Sequence, residues 1–337
     1  MRALLLLFVV VAHLFGAIHL KIASYNVENL FDLNKNGNEY DEYIPYTQSN
    51  WNNKTYTIKL KNIARVIKDI NSDIIALQEI ESSTSLKDLK LELKRSGLYY
   101  PYSKIADRKN TTTKVAILSK YPFIYTRELR VTSSKHYRNI LEVKFKINNQ
   151  ELYLFINHWK SKSGSESKRI VSAKVLRERI KEIGYEKNII LLGDFNSDYE
   201  ENKKFLHKRR HNDSGGKTGI NNVLRSYKQI KNISQIKYTK NNFYNLWYDT
   251  LEEKRWTYIF RGKKEALDNI LISQSLINKK NIYYKESSIE SFKAPYLLKK
   301  RGLNRWIMSR KKPRKHKGKG FSDHLAISAE FIIKSSK

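Results

Sequence analysis

The chain has 337 residues, 40% of them hydrophobic, enough to bury a sizeable core without covalent staples, and it has no cysteine, which excludes disulfides and a lipid-anchored lipoprotein. Lys and Arg number 65 against 33 Asp and Glu, a formal net charge of +32. That imbalance predicts attraction to polyanions such as nucleic acid, anionic lipid or acidic glycans, although coding drift in an AT-rich genome, which enriches Lys, Asn, Ile and Tyr together, accounts for part of it.

Residues 1–18 read as a secretory signal, with Arg2 as the positive region and Ala3 to Val11, Ala12, Leu14 and Phe15 as the apolar stretch; cleavage is expected near Gly16 to Ile18. A membrane anchor is the alternative, but the apolar run is short for a bilayer and no second one follows. The mature product is therefore expected to be secreted or periplasmic, without stable membrane insertion. KIASYN (21–26) predicts a strand ending at Asn26, and residues 34–55 a loop. From Thr57 to Ile70 the apolar positions Ile58, Leu60, Ile63, Ala64, Ile67 and Ile70 recur mostly at three and four, which describes a helix packed on a sheet. DIIALQE (73–79) predicts a strand ending at Glu79, and Ser85 to Arg95 a weaker helix.

Strands follow at 115–119, 141–147 and 152–157, the last leading into His158, with Asn148-Asn149 as the hairpin turn between the latter two. Lys168 to Ile183 is helical by periodicity and stops at Gly184. In IILLGDFN (189–196) an apolar run describes a buried strand that turns out through Gly193. Alternation there puts Asp194 and Asn196 on one side and Phe195 on the other. Residues of about 200–250 and 293–320 read as basic insertions, and two last strands, LDNILIS from 267 and SDHLAISAEF from 322, begin with polar groups. No repeat or Pro- or Gly-rich linker divides residues 19–337, so one domain is expected. Helices between strands in the first half and hairpins elsewhere imply mixed sheets covered by helices, an α/β or α+β fold.

Four strands thus end in a polar residue, at Asn26, Glu79, His158 and Asp194, and two begin with one, at Asp268 and Asp323-His324. Singly, each has a structural explanation as a turn, a cap or a solvated group. If the last two strands run antiparallel to the others, all six meet along one edge. The residue types suit phosphodiester hydrolysis: carboxylate and amide oxygens bind a partly hydrated Mg²⁺, another carboxylate handles water, and imidazoles held protonated by carboxylates steady the charged transition state. Absence of cysteine and of any HExxH pattern disfavours a zinc hydrolase. GGKTG (215–219) is rejected as a phosphate loop, because position 211 is His where that loop needs Gly.

NVENLFD, LQEIES, LFINHWKSKSG, LLGDFNSD, LDNILIS and FSDHLAI, in this order, resemble the motifs of the endonuclease/exonuclease/phosphatase superfamily typified by deoxyribonuclease I and exonuclease III, and its secreted bacterial nucleases in particular. The resemblance covers residues 21–332. It implies a four-layer α-β-β-α sandwich of two mixed sheets flanked by helices, with a divalent-metal site at the sheet edge: Mg²⁺, or Mn²⁺, with Ca²⁺ also open. It further implies Glu79 as the principal metal ligand, with Asn26 beside it and Asp323 as a candidate third. Asp194 would orient or deprotonate the attacking water and Asn196 would hold the scissile phosphate. His324, paired with Asp268, and His158 would contact the phosphate, either one helping to protonate the leaving oxygen. Glu28 and Glu81 stand where some relatives place Asp or Arg, which leaves one metal or two open. Asp323 and His324 are neighbours, so both reach the site only if that strand start is irregular.

The expected activity is that of an exported Mg²⁺-dependent nuclease with little sequence specificity, acting on DNA or RNA, with no protein partner implied. The run RKKPRKHKGK (310–319), with Lys311, Lys312, Arg314, Lys315 and Lys317, is the expected substrate-delivering element. Trp306, Phe292 and Tyr296 are candidates for stacking on bases or for anchoring that loop. A phospholipid or inositol-phosphate phosphodiesterase is the second reading, in which 296–298 and 306–308 would touch a membrane. A non-catalytic polyanion-binding protein is the third.

Overall fold

The computed structural model describes residues 17–205, 211–226, 241–300 and 302–334; the expected export signal lies almost wholly outside them. In chain order the first half contains β1 (Ile18–Leu30), α1 (Asn53–Ile70), β2 (Ile74–Ile80), α2 (Ser83–Arg95), β3 (Tyr102–Ile105), β4 (Lys114–Ser119) and β5 (Phe123–Leu129). Then come β6 (Ile140–Ile147), β7 (Gln150–His158), α3 (Glu166–Ile183), β8 (Ile189–Asp194) and β9 (Tyr244–Asn245). A small hairpin of β10 (Tyr258–Phe260) and β11 (Lys263–Glu265) precedes β12 (Asp268–Ile272). The last elements are β13 (Ile282–Tyr284), β14 (Glu290–Ser291), the hairpin β15 (Leu298–Lys299) and β16 (Gly302–Leu303), and β17 (Ile327–Ile333).

Local chemistry sets the boundaries. Asn52 accepts hydrogen bonds from the N–H groups of Lys54 and Thr55, while Thr55 accepts from the Asn52 N–H, so α1 starts four residues before its apolar periodicity does. Ser82 and Ser85 form the same reciprocal cap on α2. Asn148 and Asn149, both at positive φ, make the expected turn between β6 and β7. The strands β3 and β5, which the pattern did not reveal, are half-exposed sheet edges with few apolar residues to mark them.

One mixed sheet runs β13-β17-β1-β2-β4-β3, with β14 also on β17, and the other β5-β6-β7-β8-β12-β9. Their inner faces meet in one apolar cluster that includes Ile22, Ala76, Ile117, Ala329, Leu154, Ile156, Leu192 and Ile270. The outer face of the first sheet packs on α1 and α2 through Ile63, Ile67, Leu86 and Leu89. That of the second packs on α3 through Ala173, Leu176 and Ile180. The result is the expected four-layer sandwich. β1 runs parallel to β2, and β7 to β8, whereas β12 and β17 run antiparallel to β8 and β1. The polar strand ends therefore share one edge. Three of the polar strand ends differ from expectation. β1 runs past Asn26 to Leu30 and β2 past Glu79 to Ile80, both through irregular pairing. β17 begins only at Ile327, with Asp323-His324 in the irregular approach to it, where His324 makes an isolated bridge to Tyr258.

Candidate active site

Irregular backbone at the sheet edge aims the polar groups. Glu79 sits at φ 67 where the pairing of β2 slips between Gln78 and Ile80, and Glu28 and Asn29 have positive φ within a similar slip in β1. Each such non-glycine position costs on the order of 1 kcal/mol or more, and the flanking pairing holds it. Gly193 serves a closer fit than a turn alone: a Cβ there would lie 2.1 Å from the Asn157 carbonyl oxygen. With no side chain in the way, β7 and β8 register His158 opposite Asp194. Phe195 is fully buried, edge-on to Trp159 at 4.8 Å between ring centres, so it fixes Asp194 and Asn196 from behind as the alternation predicted.

Six of the sequence-derived residues converge directly. The Asn26 amide donates to Glu79 Oε1 at 3.2 Å and to Asp194 Oδ2 at 3.1 Å. Asn196 donates to the same Asp194 oxygen at 3.2 Å and to the Trp159 carbonyl, while its backbone N–H reaches Asp194 Oδ1 at 2.8 Å. His158 Nε2 lies 3.5 Å from Asp194 Oδ2 and 3.8 Å from Glu79 Oε1, and His324 Nε2 lies 3.9 Å from Asp194 Oδ2. The seventh, Asp268, is 2.7 Å from His324 Nδ1. Ser322 orients the irregular segment, receiving the His324 backbone N–H and donating to the Asn26 carbonyl. Asp323, the eighth, lines the cleft but is turned to Arg305, whose guanidinium lies 3.1 Å from it and also pairs with Glu28.

Burial governs the ionisation of this floor. It pushes the Asp194 carboxyl up to about 7, with Asp268 adding to the rise against the opposing pull of His324. Glu79 is raised by burial and by Asp323, and Glu28 is raised to about 7 by the same two causes. The two histidines diverge. Burial, with Arg138 and His324 nearby, holds His158 well below its ordinary value and hence neutral; its Nδ1 is buried without a hydrogen-bond partner among the described residues. Burial opposes protonation of His324 as well, but the carboxylates of Asp268 and Asp194 outweigh it and raise the imidazole well above its ordinary range.

Asp194, Asp268 and His324 have ligand atoms within 4.8 Å of one another. An imidazolium has no free lone pair, so this trio suits a charged hydrogen-bond network better than a metal site. A hard cation fits better beside Glu79: among the described residues no Lys or Arg lies within ion-pair distance of its carboxylate, whose near neighbours are the Asn26 amide and the neutral His158 imidazole. Asn26 is oriented as a bracket between the two acids, its Oδ1 accepting from the Glu28 N–H at 3.0 Å, and Asp323 is engaged by Arg305.

The floor opens into a cleft of about 870 Å³. Its walls include Tyr40, Thr111, Thr113, Lys135, His136, Arg138, Lys160, Lys162, Tyr258 and Phe260. The sequence reading missed these as site residues; Lys160 and Lys162 follow His158 directly in a quoted motif, whereas Lys135, His136 and Arg138 carry no comparable signal. None of the expected substrate-binding residues Lys311, Lys312, Arg314, Lys315 and Lys317 lines the cleft. They are exposed around a hairpin bridged at Met308 and His316, with Lys312 and Arg314 near Asp41 and Glu42. Trp306 is an anchor: it is buried, and its indole N–H donates to His316 Nδ1 at 2.7 Å. Phe292 packs half-buried on the core, and Tyr296 lies under the Arg65 guanidinium with its hydroxyl on Asp69.

The model of the Endonuclease/Exonuclease/phosphatase family matches residues 21–332. No curated protein sequence matches the chain. Among solved structures, humanized D. rerio TDP2 carrying 14 mutations superposes with a TM-score of 0.58 at 15% identity, over 93% of this chain and 98% of that one. D. rerio TDP2 complexed with single strand DNA product gives 0.55 at 14% identity, over 93% and 98%. The Bacteroides thetaiotaomicron mannosyl-6-phosphatase gives 0.54 at 17% identity, over 93% and 99%. At these identities the likeness is one of fold.

Proposed function

The chain belongs to the endonuclease/exonuclease/phosphatase family, and from that premise we propose that it is an exported, divalent-metal-dependent phosphodiesterase that hydrolyses nucleic acid with little sequence specificity. One observation carries the reading: Glu79, Asp194, Asn196, His158 and the His324–Asp268 pair converge on the floor of a cleft whose walls bear Lys135, Arg138, Lys160 and Lys162. In this reading residues 1–18 are the export signal and 19–337 one catalytic domain.

Asp194 orients the attacking water and takes its proton, a role suited to a carboxyl lifted to about 7. The Asn196 amide, steadied by Asp194 and the Trp159 carbonyl, holds the scissile phosphate. His324, kept protonated by Asp268, donates to the phosphate as negative charge builds. The neutral His158 serves as an N–H donor, so its expected share in protonating the leaving oxygen passes to His324. Glu79 would hold Mg²⁺ or Mn²⁺, with Ca²⁺ a third option, beside Asn26; such an ion supplies charge neutralisation at the phosphate oxygens. Arg305 keeps Asp323 from being a free ligand.

Nucleic acid is favoured over lipid by what the surface lacks. In 296–298 and 306–308 Leu297 and Trp306 are buried, Tyr296, Ile307 and Met308 half-buried and Leu298 exposed, so these segments offer little apolar surface to a membrane. No helix among the described residues is long and apolar enough to cross a membrane. The D. rerio TDP2 complex with single strand DNA product lends the same direction. The run containing Lys311, Lys312, Arg314, Lys315 and Lys317 adds long-range attraction to the polyanion.

The test is to incubate the mature protein with plasmid, RNA, phospholipid vesicles and a sugar phosphate, with Mg²⁺ or with EDTA. Plasmid or RNA should be cut with Mg²⁺ and spared with EDTA. Turnover of lipid or sugar phosphate alone, or metal-independent binding without cleavage, overturns the reading.

A further inference from the structure

One wall of the cleft is built round a lysine that does not face the cleft. Residues 130–139, RVTSSKHYRN, link β5 to β6 and contain no acid. Lys109, on the preceding β3–β4 connection, sends its ammonium into this loop and donates to three backbone carbonyls: Thr132 at 2.8 Å, Ser134 at 2.6 Å and Tyr137 at 2.8 Å. All three N–H donors of an ammonium are thereby used, on acceptors from a single loop. Carbonyl oxygens gathered round one positive charge are how proteins bind small cations; here the cation is covalently part of the chain.

Charge makes the arrangement more telling. Lys109 has no carboxylate within ion-pair distance among the described residues, and the loop it enters already holds Arg130, Lys135 and Arg138. Adding a cation there is opposed by like charges, so the carbonyl contacts must outweigh that repulsion. The same loop delivers Lys135, His136 and Arg138 to the cleft. Its ends are sewn to the Lys109 connection by Arg138 Nε on Thr113 Oγ1 at 3.2 Å, and by Glu128, which receives both the Arg108 N–H and the Asn139 amide.

We propose that Lys109 is a positioning residue for substrate: its ammonium is a built-in cation round which loop 132–137 folds, and that fold holds Lys135, His136 and Arg138 against the phosphates beside the scissile one. The cage stands independently of the nucleic-acid reading, and what the rim meets rests on it. Arginine cannot replace lysine here, because a planar fork of donors does not converge on three carbonyls as a tetrahedral ammonium does.

Two measurements on the full mature chain decide the matter. In Lys109→Met and Lys109→Arg, amide exchange of residues 132–137 should rise while the sheets keep theirs, and KM for a polynucleotide should rise about tenfold with kcat within about twofold of the parent. In Lys109→Ala, n-propylammonium, which replaces the lost end of the side chain, should lower KM again, whereas tetramethylammonium, a cation with no N–H, should not. Unchanged exchange and KM in all three variants, or equal rescue by the two ammonium ions, overturns the proposal. Exchange needs no substrate, so it still tests the cage if the parent fails to cut nucleic acid, a result that counts against the proposed function instead.

Discussion

Two basic regions of this molecule differ in an instructive way. Residues 310–319 hold seven Lys or Arg, yet none of the five expected to bind substrate there reaches the cleft. The loop 130–139 holds three, and two of them, Lys135 and Arg138, line it. The dense run is held elsewhere by His316, whose imidazole is buried against Trp51, Tyr43 and Trp306 and bonded to the Trp306 indole and the Glu42 carbonyl. The sparse loop joins neighbouring strands of the sheet that carries His158 and Asp194. Charge density along a chain sets a long-range field; strand connectivity decides which charges touch a substrate.

Catalysis at the cleft floor sets the scale for that contrast. Asp194→Asn or His324→Ala should lower kcat about a thousandfold or more with the circular dichroism spectrum unchanged. A rate within tenfold of the parent would remove the altered residue from the mechanism. Next in size is a stability effect of the dense run's anchor. Burial lowers the His316 pKa from 6.5 to about 4, so the unfolded chain binds the proton more readily than the folded one. The contribution of His316 to stability should therefore be complete above about pH 6.5 and fall by roughly 3 kcal/mol as pH drops to about 4. Other buried groups, His158 and Asp194 among them, titrate in the same window, so the measure is the difference between urea unfolding of the parent and of His316→Gln, which should open by that amount as pH falls. Identical slopes would show that His316 is not a titrating anchor.

Smaller effects separate the two regions directly. Lys135→Ala with Arg138→Ala should raise the polynucleotide KM about tenfold at physiological salt and flatten its salt dependence by roughly two phosphate contacts. The dense run should respond far less: Lys311, Lys312, Arg314 and Lys315 changed together to Gln should raise KM less than about threefold, through association rate alone. If the quadruple change in the run exceeds the double change in the loop, the run delivers substrate after all and the contrast is reversed.

What was legible in the sequence was what local chemistry determines. The Asn148-Asn149 turn needs only two residues that tolerate positive φ, and the α3 stop needs only Gly184. The floor was legible because apolar runs break at Asn26, Glu79, His158, Asp194 and Asp268, and those breaks recur at equivalent ends. The backbone inversion at Glu79 was not, since it depends on pairing with β1 and β4. Nor was the full need for Gly193, which comes from the Asn157 carbonyl on the adjacent strand. Lys135, His136 and Arg138 sit in a loop without periodicity, ordered by a lysine more than twenty residues earlier, as the contacts of Lys109 with Thr132 and Tyr137 make plain. No pattern read along the chain encodes a contact of that kind.

The placement of β17 bears on how such a protein is made. It lies between β13 and β1, pairing Ser24 with Ile327, so an interior strand of the first sheet follows every other described strand in chain order. The segment leading into it carries His324, without which Asp268 has no imidazole to charge. A nascent chain can thus hold β1, β2, β7 and β8 and still lack the His324–Asp268 pair of the cleft floor. The proposed activity would then wait on β17, which joins β1 only after every other described strand has been made.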